Sequence, residues 1–350
     1  MHDFPLITCI IPTYRRPRML ARAIQSVLNQ TFTRLRILVT DNASGDETKE
    51  VIRQIQAKDL RVIYYCQPRN IGMNANFAYG MSRVDTPFFS LLSDDDVLLP
   101  EFYETAHSEF QKYPEAIFVA TQVPCVTEEG RLDGEPLSLW DRMGLFNPPE
   151  GAYRVASIAH PTITGILFRG EFLQTPYAYP DSRYHATDYQ IILEAALQYP
   201  IVTLGKAGAL FVAHSDTHAA PSDPFSVVDQ HMALIRRVDV DDRFQYVVKL
   251  ANRQRWLSYL SGYLRGLVVR LAVRGDHLGV ERALMHLVDD LGYANIARLQ
   301  RVANLCLLIP SPLRPLLATL YESFSRWKKW RRQSQLPMAD AKHRACLRLD

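Results

Sequence analysis

Acidic side chains follow two predicted strands at their carboxyl ends. Asp41 lies two residues after the apolar run Leu35–Val39, and the cluster Ser93–Asp96 directly follows the run Pro87–Leu92. Three adjacent carboxylates repel one another and gain nothing from being packed together. A hard divalent cation needs such clustered carboxylates, with phosphate oxygens of a substrate completing its shell. The cluster therefore predicts a metal site, and a solvated turn is the alternative.

Two later residues are further candidates for chemistry. Asp188 begins the helical pattern Asp188–Gln198, and His214 ends the apolar run Ala209–Ala213. An Asp at a helix start is most often a cap, although a carboxylate there can also act as a general base. Histidine is a common metal ligand but is more often structural or merely exposed. From the residues alone, both readings stay open at both positions.

The elements that must position these side chains are short apolar runs alternating with helical patterns. Strands are predicted at Leu6–Ile11, Leu35–Val39, Arg61–Tyr65, Phe88–Leu92 and Ala116–Thr121, and helices at Arg18–Leu28, Glu47–Ala57, Met73–Met81 and after Pro100. This alternation predicts βαβ units and an α/β fold with a doubly wound, mainly parallel sheet. In such sheets ligands bind beyond the carboxyl ends of the strands, which is where Asp41 and the acidic cluster lie.

The pattern changes twice farther along the chain. Residues 124–160 are rich in Pro, Gly, Glu and Asp without a sustained period, which predicts a long mobile excursion. Strands and a helix are predicted again between residues 162 and 212. Beyond residue 225 only helical patterns follow, at about 226–237, 243–273, 278–308 and 313–332. We therefore predict a catalytic domain at 1–224 and a C-terminal α-helical appendage at 225–350.

The order of the motifs resembles a known family. The motifs are Ile10–Tyr14 (IIPTY), Ser26–Thr31 (SVLNQT), Asp41–Thr48 (DNASGDET), Arg69–Gly72 (RNIG) and Ser93–Asp96 (SDDD), the last followed by Pro100. Together they resemble the inverting family 2 glycosyltransferases, which have the GT-A fold. The resemblance covers about residues 5–215 and leaves 225–350 unaccounted for.

The resemblance implies a site for a nucleotide-sugar donor. Its nucleoside pocket would be lined by Pro12, Thr13 and Tyr14, with Asp41 bonding the base. Arg69 would lie near the base, with Asn70 and Gly72 shaping the adjoining loop, and Asp94 would contact the ribose or the diphosphate.

The resemblance also implies a metal ion and a catalytic base. Asp95 would bind Mg²⁺ or Mn²⁺, with Asp96 and His214 as further candidate ligands, while the leading Asp of the family's motif is replaced by Ser93. Asp188 would be the base that deprotonates the acceptor. The family has an acidic pair at this place, and here its first member is Thr187.

These roles amount to transfer of a sugar from a nucleoside-diphosphate sugar to a hydroxyl group, with inversion, in glycan or polysaccharide biosynthesis. The acceptor would be a glycan end, a lipid-linked oligosaccharide or a protein. Two alternatives stay open. A nucleotidyltransferase would be expected to have a Gly-rich basic loop near the N-terminus, which Pro12–Arg16 does not provide. A non-catalytic nucleotide-sugar-binding module would not need both the acidic cluster and Asp188.

Composition and charge bound the partners and the location. The net charge of +3 over 350 residues argues against a nucleic-acid partner, and five scattered cysteines without a CxxC pair favour a reducing, cytoplasmic location. Leu305–Arg332 combines an apolar helical face with a basic end. This pattern fits peripheral docking on an anionic membrane, at the inner face of the cell membrane. Packing on the catalytic domain, or on a second copy in a homo-oligomer, is the alternative.

Overall fold

The computed structural model describes residues 6–133, 140, 142–157, 162–179, 187–214, 223–292, 296–316, 319–321, 323 and 346–347. The chain divides into two compact units. The first comprises Met1–Thr217, Asp242–Val248 and Pro337–Asp350, and the second comprises His218–Asp241 and Lys249–Leu336. The division of roles predicted at residue 225 stays a prediction.

The first unit is an α/β structure built on two sheets. Its strands are β1 (Ile7–Thr13), β2 (Leu35–Asp41), β3 (Val62–Cys66), β4 (Phe88–Leu91), β5 (Val97–Leu98), β6 (Phe118–Gln122), β7 (Cys125–Thr127), β8 (Gly144–Phe146), β9 (Ile166–Arg169), β10 (Ile201–Ala207) and β11 (Ala209–Ala213). Its helices are α1 (Pro17–Leu28), α2 (Thr48–Gln56), α3 (Met73–Met81), α4 (Phe102–Lys112), α5 (Glu150–Ser157) and α6 (Thr187–Gln198).

The main sheet has the strand order β3-β2-β1-β4-β9-β6-β10-β8, and the small sheet has the order β5-β11-β7. Strands β1 to β4 run parallel to one another, and β6 runs parallel to β10. The register pairs Thr13 with Asp41, so β1 and β2 end side by side. The polar residues after β1, β2 and β4 therefore share one edge of the sheet, as the predicted doubly wound sheet requires.

The core lies between this sheet and the helices that cover it. Helical spacing predicts one apolar face of α1 with Met19, Ala23, Ile24, Val27 and Leu28. Of these, Ala23, Ile24 and Val27 are fully buried, as is Leu20, whereas Met19 and Leu28 are half-buried. Strands β1 and β2 are buried along nearly their whole length, as expected for parallel strands covered on both faces. A rigid scaffold thus carries the loops at the sheet edge.

Two features of the first unit differ from the sequence expectations. The segment 124–160, predicted to be a mobile excursion, contains β7, β8 and α5, and β8 pairs antiparallel with β10. Strands of three residues are too short to produce a visible alternation, and their partners are distant in sequence. In addition, β9 lies antiparallel between β4 and β6. Strand direction is a pairing property that periodicity does not encode.

The second unit is helical, as predicted. It contains α7 (Phe225–Val240), most of α8 (Tyr246–Arg274), α9 (His277–Met285) and α10 (Ala297–Leu307). The helix predicted over 278–308 is interrupted by a π-helical turn at His286–Asp290 and by Gly292, whose φ is 63°. In the part of the chain that is described, no helix combines the length and the apolarity that crossing a membrane requires.

The C-terminal basic segment falls largely outside the described residues. Of the predicted helix 313–332, the structure describes 313–316, 319–321 and 323, where Leu313, Leu316 and Leu320 are exposed. The aromatic and basic residues of 326–332 lie outside the described residues.

Candidate active site

A pocket of about 480 Å³ opens at the sheet edge where β1, β2 and β4 end. Its lining comes from the end of β1, from the loops after β1, β2, β3 and β4, and from the first turns of α3. The lining residues are Pro12, Thr13, Tyr14, Arg16, Asn42, Asn70, Met73, Asn76, Phe77, Ser93, Asp94 and Asp95. The pocket thus collects six of the predicted site residues, which are Pro12, Thr13, Tyr14, Asn70, Asp94 and Asp95. Its size is within the range of small-molecule sites.

Asp94 is the buried carboxylate of this pocket. Its Oδ2 accepts a hydrogen bond of 2.7 Å from the Thr13 hydroxyl, and its Oδ1 lies 3.1 Å from Arg16 Nη1. Burial and the neighbouring charge of Asp95 raise the pKa of Asp94 to about 6, although Thr13 and Arg16 oppose the rise. The site therefore holds tightly spaced negative charge that a cation stabilises.

Asp95 is the point where three positive or polar groups converge. Its Oδ2 lies 2.8 Å from Arg16 Nη1 and 3.0 Å from His214 Nε2. Its backbone carbonyl accepts a hydrogen bond of 2.8 Å from Arg22 Nη2. The structure thus brings His214, 119 residues away in sequence, onto the same carboxylate oxygen as Arg16.

Asp96 points away from the pocket into the interior. Its Oδ2 accepts a hydrogen bond from the Thr164 hydroxyl at 2.8 Å, and its Oδ1 accepts one from the Val212 amide at 3.1 Å. Burial, followed by the charge of Asp95, raises the pKa of this carboxyl group. Both oxygens of Asp96 are bonded, and only 2% of its surface is exposed. Asp96 therefore connects the acidic cluster Ser93–Asp96 to β11 and to the 3₁₀ turn Ile163–Gly165. The geometry does not place it with Asp95 as a metal ligand.

Asp41 is similarly enclosed. Its Oδ1 accepts bonds from the Ser44 amide and hydroxyl at 2.9 and 2.6 Å, and its Oδ2 accepts one of 2.6 Å from the Tyr64 hydroxyl. Burial and this bond raise the pKa of Tyr64. Asp41 is 2% exposed and does not line the pocket. Its predicted contact with a base stays a prediction, and the structure shows Asp41 shaping the loop after β2.

The neighbouring Asn42 is the residue of this loop that faces the pocket. Its side-chain amide nitrogen donates to Asn70 Oδ1 at 3.0 Å, and its Oδ1 accepts from the Ile71 amide at 2.8 Å. Gly72 then leads into α3 with a φ of 87°, a conformation that side chains rarely adopt. Arg69 is exposed and is not part of the pocket lining.

Asp188 lies at the start of α6, half-buried, next to the pocket rather than in its lining. The preceding Thr187 approaches Asn74 of α3 with 3.4 Å between their side-chain oxygens. Because the first turns of α3 line the pocket, this contact places the start of α6 beside it. The role of Asp188 as a base stays a prediction.

The donor set at Asp95 fits a divalent cation. Among the described residues, no three His, Cys, Asp or Glu side chains are grouped so that they could hold a metal by themselves. Mg²⁺ is commonly held by one or two carboxylates together with substrate phosphates, without a complete protein cage. Asp95 offers one carboxylate to such a shared site, His214 Nε2 lies 3.0 Å from the same carboxylate oxygen, and Asp94 lies beside Asp95 in the pocket wall.

Sequence reasoning missed Arg16, Arg22 and Asn42 as site residues. Arg16 lies two residues after the Pro12–Tyr14 motif, so its position was a usable signal. Its carboxylate partners are 78 and 79 residues away, and only the folded chain reveals the contact.

Comparisons with known proteins show what the sequence of this chain is similar to. Residues 8–170 match the family model described as Glycosyl transferase family 2. A Campylobacter jejuni protein, GalNAc(5)-diNAcBac-PP-undecaprenol beta-1,3-glucosyltransferase, is 38% identical over 96 residues, which are 27% of this chain and 31% of that protein. The chondroitin synthase of Escherichia coli is 31% identical over 129 residues, 37% of this chain and 18% of that protein. The chain thus matches about a third or less of the length of these two relatives.

Solved structures share the fold at low sequence identity. Staphylococcus aureus TarS 1–349 in complex with UDP-GlcNAc gives a TM-score of 0.62 at 18% identity, covering 93% of this chain and 89% of that one. The mannosyltransferase PcManGT from Pyrobaculum calidifontis, in complex with GDP-Man and Mn²⁺, gives 0.51 at 14% identity, covering 91% and 87%. Residues 8–170, just under half of the chain, therefore match glycosyl transferase family 2, in a chain with the GT-A fold.

Proposed function

We propose that this protein transfers a sugar from a nucleoside-diphosphate sugar to a hydroxyl acceptor, with inversion at the anomeric carbon. The observation that carries the proposal is the 480 Å³ pocket with Asp94 and Asp95 in its wall, at the carboxyl ends of β1, β2 and β4 in a family 2 domain. Ligands of doubly wound sheets bind at this edge. The pathway class that fits is glycan or polysaccharide biosynthesis.

The pocket offers distinct groups for each part of the donor. The Tyr14 ring is 38% exposed and has the Arg15 guanidinium 5.1 Å from its centre, which leaves a stacking surface for a base. The side chains of Asn42 and Asn70 supply amide groups for hydrogen bonds to the base. The Asp94 carboxylate, oriented by Thr13, is suited to accept hydrogen bonds from ribose hydroxyls. The UDP-GlcNAc complex of TarS supports a UDP-linked donor.

Asp95 and His214 would hold Mg²⁺ or Mn²⁺, and the Mn²⁺ complex of PcManGT supports this assignment. When bound, such a cation neutralises the charge that builds on the departing diphosphate. Asp95 itself is kept in place by Arg22, which donates to its backbone carbonyl. Asp96 supports the loop from behind through Thr164 and Val212.

Asp188 would accept the proton of the acceptor hydroxyl as its oxygen attacks the anomeric carbon. Attack opposite the leaving diphosphate inverts the configuration in one displacement. The contact between Thr187 and Asn74 of α3 supports this role, because it would keep the base close to the helix whose first turns line the pocket. Holding reacting groups in one geometry accounts for a large part of enzymatic rate enhancement.

The acceptor is proposed to be a glycan, with a lipid-linked glycan as the first class to test. The name of the Campylobacter jejuni relative describes a glucosyltransferase for an undecaprenol-linked glycan, and that of the Escherichia coli relative describes a chondroitin synthase. A lipid-linked acceptor would also give the basic C-terminal segment a membrane to dock on.

A donor-hydrolysis screen tests the proposal. The purified protein is incubated with UDP-GlcNAc, UDP-GalNAc, UDP-glucose and GDP-mannose in Mn²⁺, and the released nucleoside diphosphate is measured. Slow release from one donor is expected, with loss in Asp95→Asn. Proton NMR of the transferred sugar then reports inversion or retention. Pyrophosphate release from a nucleoside triphosphate and a sugar phosphate would instead identify a nucleotidyltransferase, and binding without any turnover would identify a binding module.

A further inference from the structure

Arg16 occupies an unusual position in the pocket. A single guanidinium nitrogen, Nη1, lies 3.1 Å from Asp94 Oδ1 and 2.8 Å from Asp95 Oδ2, so one cation bridges the two carboxylates. The side chain lines the pocket and is 33% exposed, whereas its partners are 8% and 14% exposed. Arg16 therefore places a positive charge in the pocket, directly against the two carboxylates of its wall.

The guanidinium and a divalent cation compete for the same oxygen. Asp95 Oδ2 already receives Arg16 Nη1 and lies 3.0 Å from His214 Nε2. A metal ion on this oxygen would stand within a few ångströms of the guanidinium, where like charges repel strongly in a partly buried site. A cation bound at Oδ2 would therefore displace Arg16 Nη1 from this oxygen.

The surrounding contacts allow Arg16 to move without releasing the acidic loop. The chain around Arg16 is anchored, because the preceding Arg15 amide donates to the Ser44 hydroxyl at 2.8 Å and the Arg16 carbonyl accepts from the Leu20 amide at 2.9 Å. Arg22 is buried and holds the Asp95 carbonyl independently. An exchange of partners by the Arg16 side chain would therefore leave these contacts in place.

We propose that Arg16 exchanges partners during donor binding. It neutralises Asp94 and Asp95 in the free protein, gives up Asp95 to the divalent cation, and turns its guanidinium to the donor diphosphate. The fork of N–H donors on arginine matches phosphate oxygens. The diphosphate also replaces the carboxylate as the anionic partner of the guanidinium. This inference rests on the proposed function and adds a donor-binding residue to it.

The exchange predicts opposite changes in two affinities when Arg16 is removed. In Arg16→Ala the cation no longer competes with a guanidinium, so Mn²⁺ binds the free protein about tenfold more tightly, as Coulomb repulsion at this range implies. In the same variant UDP binding at saturating Mn²⁺ weakens about tenfold, because a charge-assisted hydrogen bond to phosphate is lost. A merely structural role would weaken both.

Electron paramagnetic resonance of Mn²⁺ titrated into the free protein measures the first affinity, and calorimetry with UDP measures the second. Arg18→Ala is the matched control, because it removes one exposed arginine two residues farther along, in the first turn of α1, and should leave both affinities near wild type. Arg16→Lys keeps a positive charge beside Asp95, so this variant should bind Mn²⁺ more weakly than Arg16→Ala does. Circular dichroism verifies that each variant is folded.

Unchanged or weakened Mn²⁺ binding in Arg16→Ala overturns the exchange, as does a complete absence of Mn²⁺ binding in wild type and variant. If Arg16→Ala binds UDP as tightly as the wild type does, Arg16 does not contact the diphosphate and the proposal is overturned. The Mn²⁺ titration uses neither donor nor acceptor. A failed donor screen with a positive titration would therefore count against transferase activity and not against Arg16.

Discussion

Replacing Arg243 should destabilise the first unit strongly, since its partner is a carboxylate with no exposed surface. Glu194 of α6 is fully buried, and Arg243 donates to both of its oxygens, with Nη1–Oε2 at 3.1 Å and Nη2–Oε1 at 3.3 Å. The guanidinium also packs 4.5 Å from the centre of the Tyr177 ring. Arg243→Met keeps most of the aliphatic stem but removes the charge and both bonds.

The size of the effect follows from the burial of the pair. Removing one partner of a buried ion pair costs about 3–5 kcal/mol, because the other charge stays in a poorly solvated place. Arg243 is 36% exposed, so water screens part of the interaction and the lower end, about 3 kcal/mol, is expected. For a unit of this size each kcal/mol shifts Tm by about 2–4 °C, which gives a fall of about 6–12 °C.

Lys206→Met is the matched control for this measurement. Lys206 lies 2.5 Å from Glu101, closer than Arg243 lies to Glu194, but the two side chains are 52% and 42% exposed. Exposed pairs contribute about 0–1 kcal/mol, so the melting temperature should hardly change. Thermal unfolding followed by circular dichroism measures both variants. The double variant Arg243→Met with Glu194→Gln should recover part of the loss. Equal shifts for the two single variants would refute the reasoning from burial.

Three further predictions concern the site and the C-terminal segment. Asp188→Asn should retain UDP binding while transfer falls by about 10²-fold or more, the usual scale of general-base catalysis; collapse of UDP affinity with near-normal residual transfer would contradict the base role. Asp95→Asn should lose Mn²⁺ binding, whereas Asp96→Asn should keep it, because both Asp96 oxygens are bonded within the protein. Titration with Mn²⁺ measures both variants, and an equal loss of affinity in the two would show that Asp96 is also a ligand. Replacing Lys328, Lys329 and Arg331 by Glu should abolish salt-sensitive co-sedimentation with anionic vesicles, and equal sedimentation of the wild type and the variant would favour protein packing.

The vesicle experiment uses substitutions rather than a truncation for a structural reason. Cys346 and Leu347 pack against the apolar cluster that includes Val97, Leu210 and Val212. Deleting the chain from residue 310 onward would remove this packing as well as the basic segment. Charge reversal changes the electrostatic attraction to lipid and leaves those contacts in place.

Local patterns predicted most of the first unit. The helical face of α1 and the run of β1 appear in the sequence because hydrophobic spacing records which side of an element is buried. The carboxylates of Asp94 and Asp95 were also predictable, since both follow an apolar strand within a short motif. The region 124–160 was not, because its three-residue strands obtain their stability from distant partners.

The sequence by itself determined the alternation of strands and helices, the order of the motifs and the edge of the sheet that carries the acidic cluster. These are short-range properties of spacing and apolar character. Only the tertiary structure decided which acids face the pocket. Asp95 contacts His214 and Arg16. Asp96 instead accepts hydrogen bonds from Thr164 and Val212, and Asp41 accepts one from Tyr64. Adjacent residues can have opposite environments because strand pairing, set across tens of residues, determines which hydrogen-bond partners each side chain meets.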